Sequence, residues 1–403
     1  MVADVRCHLR GFALALTTVL LFAGGTSHAQ ETAIVFSHPC MYLNAQEIEE
    51  IRDRIRNDAT CRDMFTAMCA DADALLAREP HPVTGPFTRA LERPVTEQSD
   101  AGPPTDAALA HADFTVARNL GLVYALTTDE RYAEKVVAFA TAWQSAMTTE
   151  WPQTLSAWQA LAETLPALLY AVDLCWNSTA ATAEFKTGLQ AWVKELITKA
   201  KQQHPFASPE TTAWNLNAIG AGGVICEDPE WIRFLYDDHA GNIDTFQGLL
   251  RGSKDPKTNE ALPGLLDGDG RAHYEVNEPD EYRKAMRLFK ALAYVAELAR
   301  HYGQDLYAFT YKGRSLKAGL LHYVGYYDGS ERDANIGVPF RGVIDGSIYE
   351  LAYARYHAPE FERVLQARGR KVVDPDILGP ISLTHGAMPM TAGSAIGGGA
   401  GRR

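Results

Sequence analysis

Apolar side chains recur every three or four residues along most of this chain. The clearest stripe lies between residues 185 and 197, in an otherwise charged segment, which is the pattern of an amphipathic helix. Comparable stripes run through residues 48–55, 114–126, 132–143, 155–174 and 286–299. Strand-like signals are confined to residues 33–37 and 341–344. The pattern therefore predicts an all-α protein.

Short connectors between the predicted helices indicate antiparallel helical hairpins. Thr127 to Glu130, for example, can end one helix and cap the next. Consecutive hairpins without intervening strands are typical of an (α/α) toroid or a helical solenoid. No repeat of fixed length and clear consensus is present, which favours the toroid. Segments 77–107 and 251–280 are richer in Pro, Gly and Asp and are predicted to be long loops.

The two ends of the chain differ from the helical middle. Arg6 and Arg10 precede an apolar run over residues 11–23, and Ser27-His28-Ala29 has the small residues of a cleavage site. This predicts a signal peptide over residues 1–29, cleaved after Ala29, and export to the periplasm or the medium. No later segment approaches the roughly 20 apolar residues of a transmembrane helix. Residues 30–385 are then the toroid domain, and the Gly-rich residues 386–403 are a low-complexity tail predicted to be disordered.

Charge and cysteine content narrow the function classes. The formal charge of −12 argues against a nucleic-acid binder, and it means that an anionic ligand needs a local basic cleft. An odd number of cysteines follows the predicted leader, so at least one thiol is unpaired within the monomer. Their spacing matches no zinc motif, and we predict neither a metal nor a redox cofactor. These cysteines are Cys40, Cys61, Cys69, Cys175 and Cys226.

Four segments together carry a family resemblance. They are FSHPCMYLNAQEIEEIRDRI (36–55), YALTTDERYAEKVVAFATAW (124–143), TTAWNLNAIGAGGV (211–224) and KALAYVAELARHYGQDLYAF (290–309). In order and spacing they resemble the secreted alginate lyase-like and heparinase-like polysaccharide lyases with an (α/α) toroid. The resemblance implies cleavage of an anionic polysaccharide, such as alginate or glucuronan, by β-elimination without a redox cofactor. The family's catalytic stretches carry an Asn-Asn-His or Asn-Trp element and an Arg near a His or Tyr; here the corresponding residues are Trp214 to Asn217, and Tyr282-Arg283 followed by Arg287.

Elimination from a uronate requires a donor that neutralises the carboxylate, a base for the C5 proton and an acid for the leaving oxygen. Asn215 and Asn217 are the candidate donors, and because they are two positions apart on a helix, we expect only one to face the cleft. His273, which follows a predicted Asp-Gly turn at residues 267–270, is a candidate base. By the resemblance, Tyr282 lies near the family's proton-transferring group.

Other residues are candidates for substrate binding. Arg283 and Arg287 are four apart and share one helix face, where they can hold carboxylates. Aromatic rings and amides commonly line sugar-binding grooves. The full substrate-binding set is Trp158, Gln159, Trp214, Arg271, Tyr274, Arg283 and Arg287.

Two alternatives remain beside a secreted or periplasmic lyase. One is an (α/α)-barrel glycoside hydrolase that uses paired carboxylates, for which the candidates are Asp267, Asp269, Glu275, Glu278 and Asp280. The other is a non-catalytic glycan-binding protein of the cell envelope. An unsaturated uronate product absorbs ultraviolet light and distinguishes elimination from both.

Overall fold

A computed structural model describes most of the chain after the predicted leader. Residues from Val35 onward form one compact unit. The predicted signal peptide and residues 388–403 of the predicted tail lie outside the described part. The described ranges are 33–88, 104–150, 155–203, 209–236, 244–254, 261–262, 264–272, 281–328 and 345–387.

The described residues are predominantly helical, which confirms the all-α prediction. The helices are α1 (Ala45–Asn57), α2 (Ala59–Leu75), α3 (Asp106–Thr127), α4 (Glu130–Ala146), α5 (Leu155–Leu174), α6 (Ala183–Gln203), α7 (Pro209–Ile225), α8 (Pro229–Phe234), α9 (Phe246–Arg251), α10 (Glu281–Arg300), α11 (Leu316–His322), α12 (Val324–Asp328), α13 (Ile348–Tyr356), α14 (Pro359–Arg368) and α15 (Ile381–Thr384). A two-residue antiparallel ladder joins β1 (Ser253–Lys254) to β2 (Ala261–Leu262).

Local signals explain several boundaries. Thr128 ends α3 in the left-handed conformation, and the Asp129 side chain caps α4 by accepting from the Arg131 amide, so the predicted break at residues 127–130 is confirmed. The turn before residue 271 is also present, with Gly270 at a φ of 93°. A Cβ atom at Gly270 would lie 2.3 Å from the Ala318 carbonyl oxygen, so glycine is required there.

One strand signal is wrong. Residues 33–37 pair with no strand in the part of the chain that the structure describes. The short apolar run was compatible with a strand in isolation, but no neighbouring segment supplies a partner edge. The other signal, at residues 341–344, lies outside the described residues.

None of the described helices is both long and apolar enough to span a lipid bilayer.

Four long helices, α3, α5, α7 and α10, pack side by side as an inner row. Glycines at the contacts allow close packing of these helices: a Cβ at Gly121 of α3 would lie 2.9 Å from the Ala171 Cα of α5, and one at Gly220 of α7 would lie 3.1 Å from a Leu298 methyl of α10. Contacts between α5 and α7, and between α7 and α10, also join their N-terminal halves. The four helices therefore run parallel and begin at the same end of the row.

We call this end the N-terminal mouth: the N-terminal halves of α3, α5, α7 and α10. Helix N-termini carry a partial positive charge, and four of them converge here. Residues 374–376 connect α10 to α3: Lys290 of α10 pairs with Asp374 and Asp376, and buried Arg118 of α3 donates to the backbone carbonyls of residues 374–376. The mouth is thereby bounded by four inner helices and by the turn at residues 374–376.

Candidate functional site

Arg287 of α10 is at the centre of the charged groups in the mouth. Its Nη2 lies 2.5 Å from Glu163 of α5, and its Nε lies 2.6 Å from Glu210 of α7. The guanidinium carbon also lies 5.7 Å from the centroid of the Trp214 ring, within range of a cation–π contact. Burial raises the pKa of Glu163, although Arg287 opposes that shift. Arg287 thus joins three inner helices through two nearly buried carboxylates.

Asn215 presents one half of its amide for binding. Its Oδ1 accepts a hydrogen bond of 2.7 Å from the buried indole of Trp158. That bond fixes the orientation of the amide, because an indole N–H can only donate. Within the described residues the Asn215 Nδ2 group makes no hydrogen bond. Both N–H groups of the Asn215 amide therefore lack a protein acceptor among the described residues, although only 4% of the residue is exposed.

Gln159 completes the polar wall between α5 and α7. Its Nε2 donates to Glu163 at 3.1 Å, and its Oε1 accepts from Thr211 at 3.2 Å. Trp158 and Trp214 are both almost fully buried, so they support the wall rather than form an exposed stacking surface. The structure therefore brings together five of the sequence-predicted site residues, namely Trp158, Gln159, Trp214, Asn215 and Arg287.

Asn217 lies in a different environment from Asn215. It is fully buried, and its Oδ1 accepts from the Tyr42 hydroxyl at 2.6 Å. Its Nδ2 is buried without a hydrogen-bond partner. The two asparagines point to different sides of α7, as their spacing predicts.

Lys290, one turn after Arg287, binds three carboxylates. Its Nζ lies 2.6 Å from both Asp374 and Asp376 and forms a close ion pair with Asp345. Burial acts to raise the pKa of Asp376, but the Lys290 ammonium outweighs it and holds that pKa well below its usual range. The three carboxylates have the mutual spacing of metal ligands, yet the ammonium already occupies the space between them. Partly exposed His111 of α3 lies 3.8 Å from Asp376 and extends this network across the mouth.

The other sequence-predicted residues are placed only in part. Tyr282 and Arg283 lie in the first turn of α10, where the backbone but not the side chains is described. His273 and Tyr274 lie outside the described residues. Arg271 is half-buried directly after the Asp-Gly turn.

Two of the five carboxylates considered for a hydrolase, Asp267 and Asp269, are among the described residues, and both lie in the Asp-Gly turn. Asp269 accepts from the Arg271 amide and so stabilises the turn. Asp267 is half-buried in the same turn. The remaining three, Glu275, Glu278 and Asp280, lie outside the described residues.

Sequence reasoning missed the charged partners of the site. These are His111, Glu163, Glu210, Lys290, Asp345, Asp374 and Asp376. Two signals could have indicated some of them: Glu163 is four residues after Gln159, and Lys290 is three after Arg287, so each pair shares a helix face. Nothing in the local sequence indicates that residues 374–376 reach α10.

A second group of potential metal ligands has a structural explanation. His38 Nδ1 lies 2.5 Å from Asp173, at the end of α5, and the Cys40 and Met41 amides donate to the same carboxylate. Burial acts to lower the pKa of His38, but Asp173 outweighs it and raises that pKa to about 10. These bonds hold the segment before α1 against α5.

All five cysteines after the predicted leader are free thiols.

Comparison with known proteins agrees with this architecture. The family model for alginate lyase matches residues 98–332, more than half of the chain. A search of curated proteins found no significant match.

Similar solved structures include an apo histidine-to-alanine variant of alginate lyase A1-III (15% identity, TM-score 0.69, covering 90% of this chain and 99% of that one). They also include alginate lyase A1-III from Sphingomonas species A1 (16%, 0.65, 90% and 100%) and an alginate lyase from Bacteroides ovatus (14%, 0.63, 87% and 100%). At this identity the likeness establishes the shared fold, and the family match establishes membership. The chain belongs to the alginate lyase family and is a polysaccharide lyase built on an (α/α) toroid.

Proposed function

We propose that this lyase cleaves a uronate-containing polysaccharide, such as alginate or glucuronan, by β-elimination at the N-terminal mouth. The observation that carries the proposal is the Asn215 amide, whose oxygen is engaged by Trp158 and whose two N–H groups are available. Removal of the C5 proton becomes feasible only when the adjacent carboxylate is neutralised. A fixed amide donor, in a mouth that also collects the positive ends of four helices, meets that requirement.

Arg287 is the second proposed carboxylate ligand. Its side chain is 31% exposed although two carboxylates hold it, so an edge of the guanidinium can still reach a substrate. Glu163 and Glu210 fix its position, but their negative charges offset part of its positive charge. Asn215 and Arg287 would together hold the uronate carboxylate from two sides.

Tyr282 and His273 are the proposed proton-transfer groups. Tyr282 is on the first turn of α10, five residues before Arg287, and His273 precedes it by nine positions in the sequence. One group takes the C5 proton as the C4–C5 double bond forms, and the other protonates the C4 oxygen as its bond to C4 breaks. We further propose export to the periplasm or the medium, on the basis of the leader at residues 1–29.

The first test is turnover on purified polymers. The mature protein would be incubated with alginate, polymannuronate, polyguluronate, glucuronan and a heparinoid, and the ultraviolet absorbance of the unsaturated product would be followed. We expect a rise on at least one uronate polymer. A flat trace on all of them, with helical circular dichroism retained, would contradict the proposed substrate class.

The second test separates the two asparagines. Asn215→Ala should lower kcat/KM by about a hundredfold or more, as does loss of an oxyanion donor in other enzymes, and it should also lower Tm because the buried Trp158 indole loses its acceptor. Asn217→Ala removes the acceptor for the buried Tyr42 hydroxyl, so it should lower Tm and leave kcat/KM of the folded protein closer to wild type. The opposite pattern would transfer the neutralising role to Asn217.

A further inference from the structure

A second cavity lies at the far end of α10 from the N-terminal mouth. Its volume is about 490 Å³, and its lining includes Arg300, Gln304, Ala308, Arg355 and Tyr356. Arg287 and Arg300 are thirteen positions apart on one helix, which separates the cavity from the mouth by about 20 Å. The volume is within the range of small-molecule sites, roughly 300–1,000 Å³.

A buried carboxylate contacts both arginines of this cavity, and Glu47 also pairs with Arg300. Glu297 is fully buried, and it accepts from Arg355 through Nε and Nη2 and from Arg300 through the same two nitrogens. The Tyr307 hydroxyl adds a third partner at 3.1 Å. Burial acts to raise the pKa of Glu297, but the two guanidiniums hold it well below its usual range. The carboxylate stays ionised, and both guanidinium planes are preorganised.

Each arginine retains an unused edge. The side chains of Arg300 and Arg355 are 27% and 26% exposed. Within the described residues neither Nη1 group makes a hydrogen bond. Arg300 also pairs with Glu47, so Glu297 and Glu47 together balance the two guanidinium charges, and the open Nη1 edges are what remains for a ligand.

The aromatic side of the cavity is equally fixed. Tyr307 and Tyr356 meet edge to face with their centroids 5.7 Å apart, and the Tyr356 hydroxyl donates to the Tyr307 carbonyl. Lys317 lies 5.6 Å from the Tyr356 ring centroid, which adds positive charge near the cavity, whereas Asp305 contributes a carboxylate at the rim. Guanidinium edges recognise carboxylates, and tyrosine faces suit the apolar side of a sugar ring.

We propose that this cavity is a second carbohydrate site that binds one carboxylate-bearing sugar unit of an oligosaccharide. The carboxylate would lie against the open edges of Arg300 and Arg355, with the ring beside Tyr356 and hydroxyls toward Gln304. The site takes no part in bond cleavage, and its existence does not depend on the mouth acting on uronates.

The test is calorimetric titration with trimannuronate, using mannotriose as the uncharged counterpart. The Asn215→Ala variant weakens the mouth, so the far cavity dominates the signal. In this background Ala308→Glu places a carboxylate in the lining, whereas Ala308→Gln has the same shape without the charge. We expect Ala308→Glu to weaken trimannuronate binding by about tenfold or more through like-charge repulsion, and Ala308→Gln to bind within about threefold of the Asn215→Ala parent.

Three results would overturn the proposal: no trimannuronate binding to the Asn215→Ala variant, equal affinities for the Glu and Gln variants, or mannotriose binding as tightly as trimannuronate. Ala308 is exposed, so both substitutions should preserve the fold, and circular dichroism would verify this. With Asn215 intact, Ala308→Glu should leave kcat on short substrates unchanged. If the protein binds trimannuronate at this cavity but cleaves no uronate polymer, the result would support the second site and contradict the proposed function of the mouth.

Discussion

The two ends of α10 use different ratios of charge. In the mouth, one guanidinium is held by Glu163 and Glu210, and one ammonium is held by three aspartates. At the far end, Arg300 and Arg355 share Glu297, and Arg300 also pairs with Glu47. The same kinds of residue therefore produce an excess of carboxylates at one end and equal numbers of guanidinium and carboxylate groups, with two open guanidinium edges, at the other.

This difference between the two ends of α10 shows that the number of cationic side chains alone does not identify a basic cleft. Arg287 and Lys290 are both in the mouth, yet neighbouring carboxylates compensate their charge. The groups available to an anionic sugar in the described part of the mouth are the Asn215 amide, the remaining edge of Arg287 and the helix N-termini. The surplus carboxylates fix the cations in position and also oppose a negatively charged polymer.

The largest expected effect comes from removing one carboxylate at each end. Glu297→Gln leaves Arg355 without its carboxylate partner and should cost about 3–5 kcal/mol, the usual loss when a buried ion pair is broken. Glu163→Gln leaves Arg287 paired with Glu210 and should cost about 1 kcal/mol or less. Urea unfolding measures both free energies. Equal losses at the two ends would show that the charge ratio does not determine stability.

A pH titration of stability should show a similarly large effect from His385, near the Glu297 cluster. Burial lowers the pKa of His385 to about 4, although Glu297 and the Tyr42 carbonyl act to raise it. The unfolded histidine binds its proton near pH 6.5 and the folded one only near pH 4. The associated stability is therefore complete above pH 6.5 and falls by about 3 kcal/mol between pH 6.5 and 4.

In the same experiment, the contribution of His38 to stability has the opposite dependence on pH. Its folded pKa is about 10, so its contribution is complete below pH 6.5 and is lost as the pH rises towards 10. His385→Gln should flatten the acid limb of the unfolding free energy and leave the alkaline limb unchanged. An acid limb that persists in His385→Gln would assign the loss to other groups, such as Glu47, whose pKa of about 2 places its effect at lower pH.

The sequence predicts the fold better than the site because the two depend on different ranges of interaction. Helical periodicity and the cap at residues 127–130 are local, and the structure confirms both. Residue type and the family resemblance are enough to propose Trp158, Asn215 and Arg287, and the structure places these three side chains together. Their partners could not be proposed, because a glutamate such as Glu163 on a helix has the same local pattern whether it is solvated or paired with Arg287, 124 positions later.

Asp374 and Asp376 illustrate the same limit more strongly. They follow no helical or strand pattern, and their place in the mouth depends on Arg118 holding the backbone of residues 374–376 against α3. That contact joins residues 256 to 258 positions apart. Only the tertiary packing of the helices brings these residues together, so a single sequence contains no local signal for the contact.

The smallest expected effect concerns substrate affinity and tests the meaning of the surplus carboxylates. If Glu163 competes with the substrate carboxylate for Arg287, Glu163→Gln should lower KM for a uronate polymer by about threefold at low salt, with kcat within about twofold of wild type. Glu163→Asp retains the charge and is the matched control, so its KM should not fall. Because the effect is electrostatic, the difference in KM between the Gln variant and wild type should shrink as ionic strength rises. A KM that rises in Glu163→Gln would mean that Glu163 positions Arg287 more than it competes with substrate, and the carboxylates of the mouth would then be part of its binding machinery.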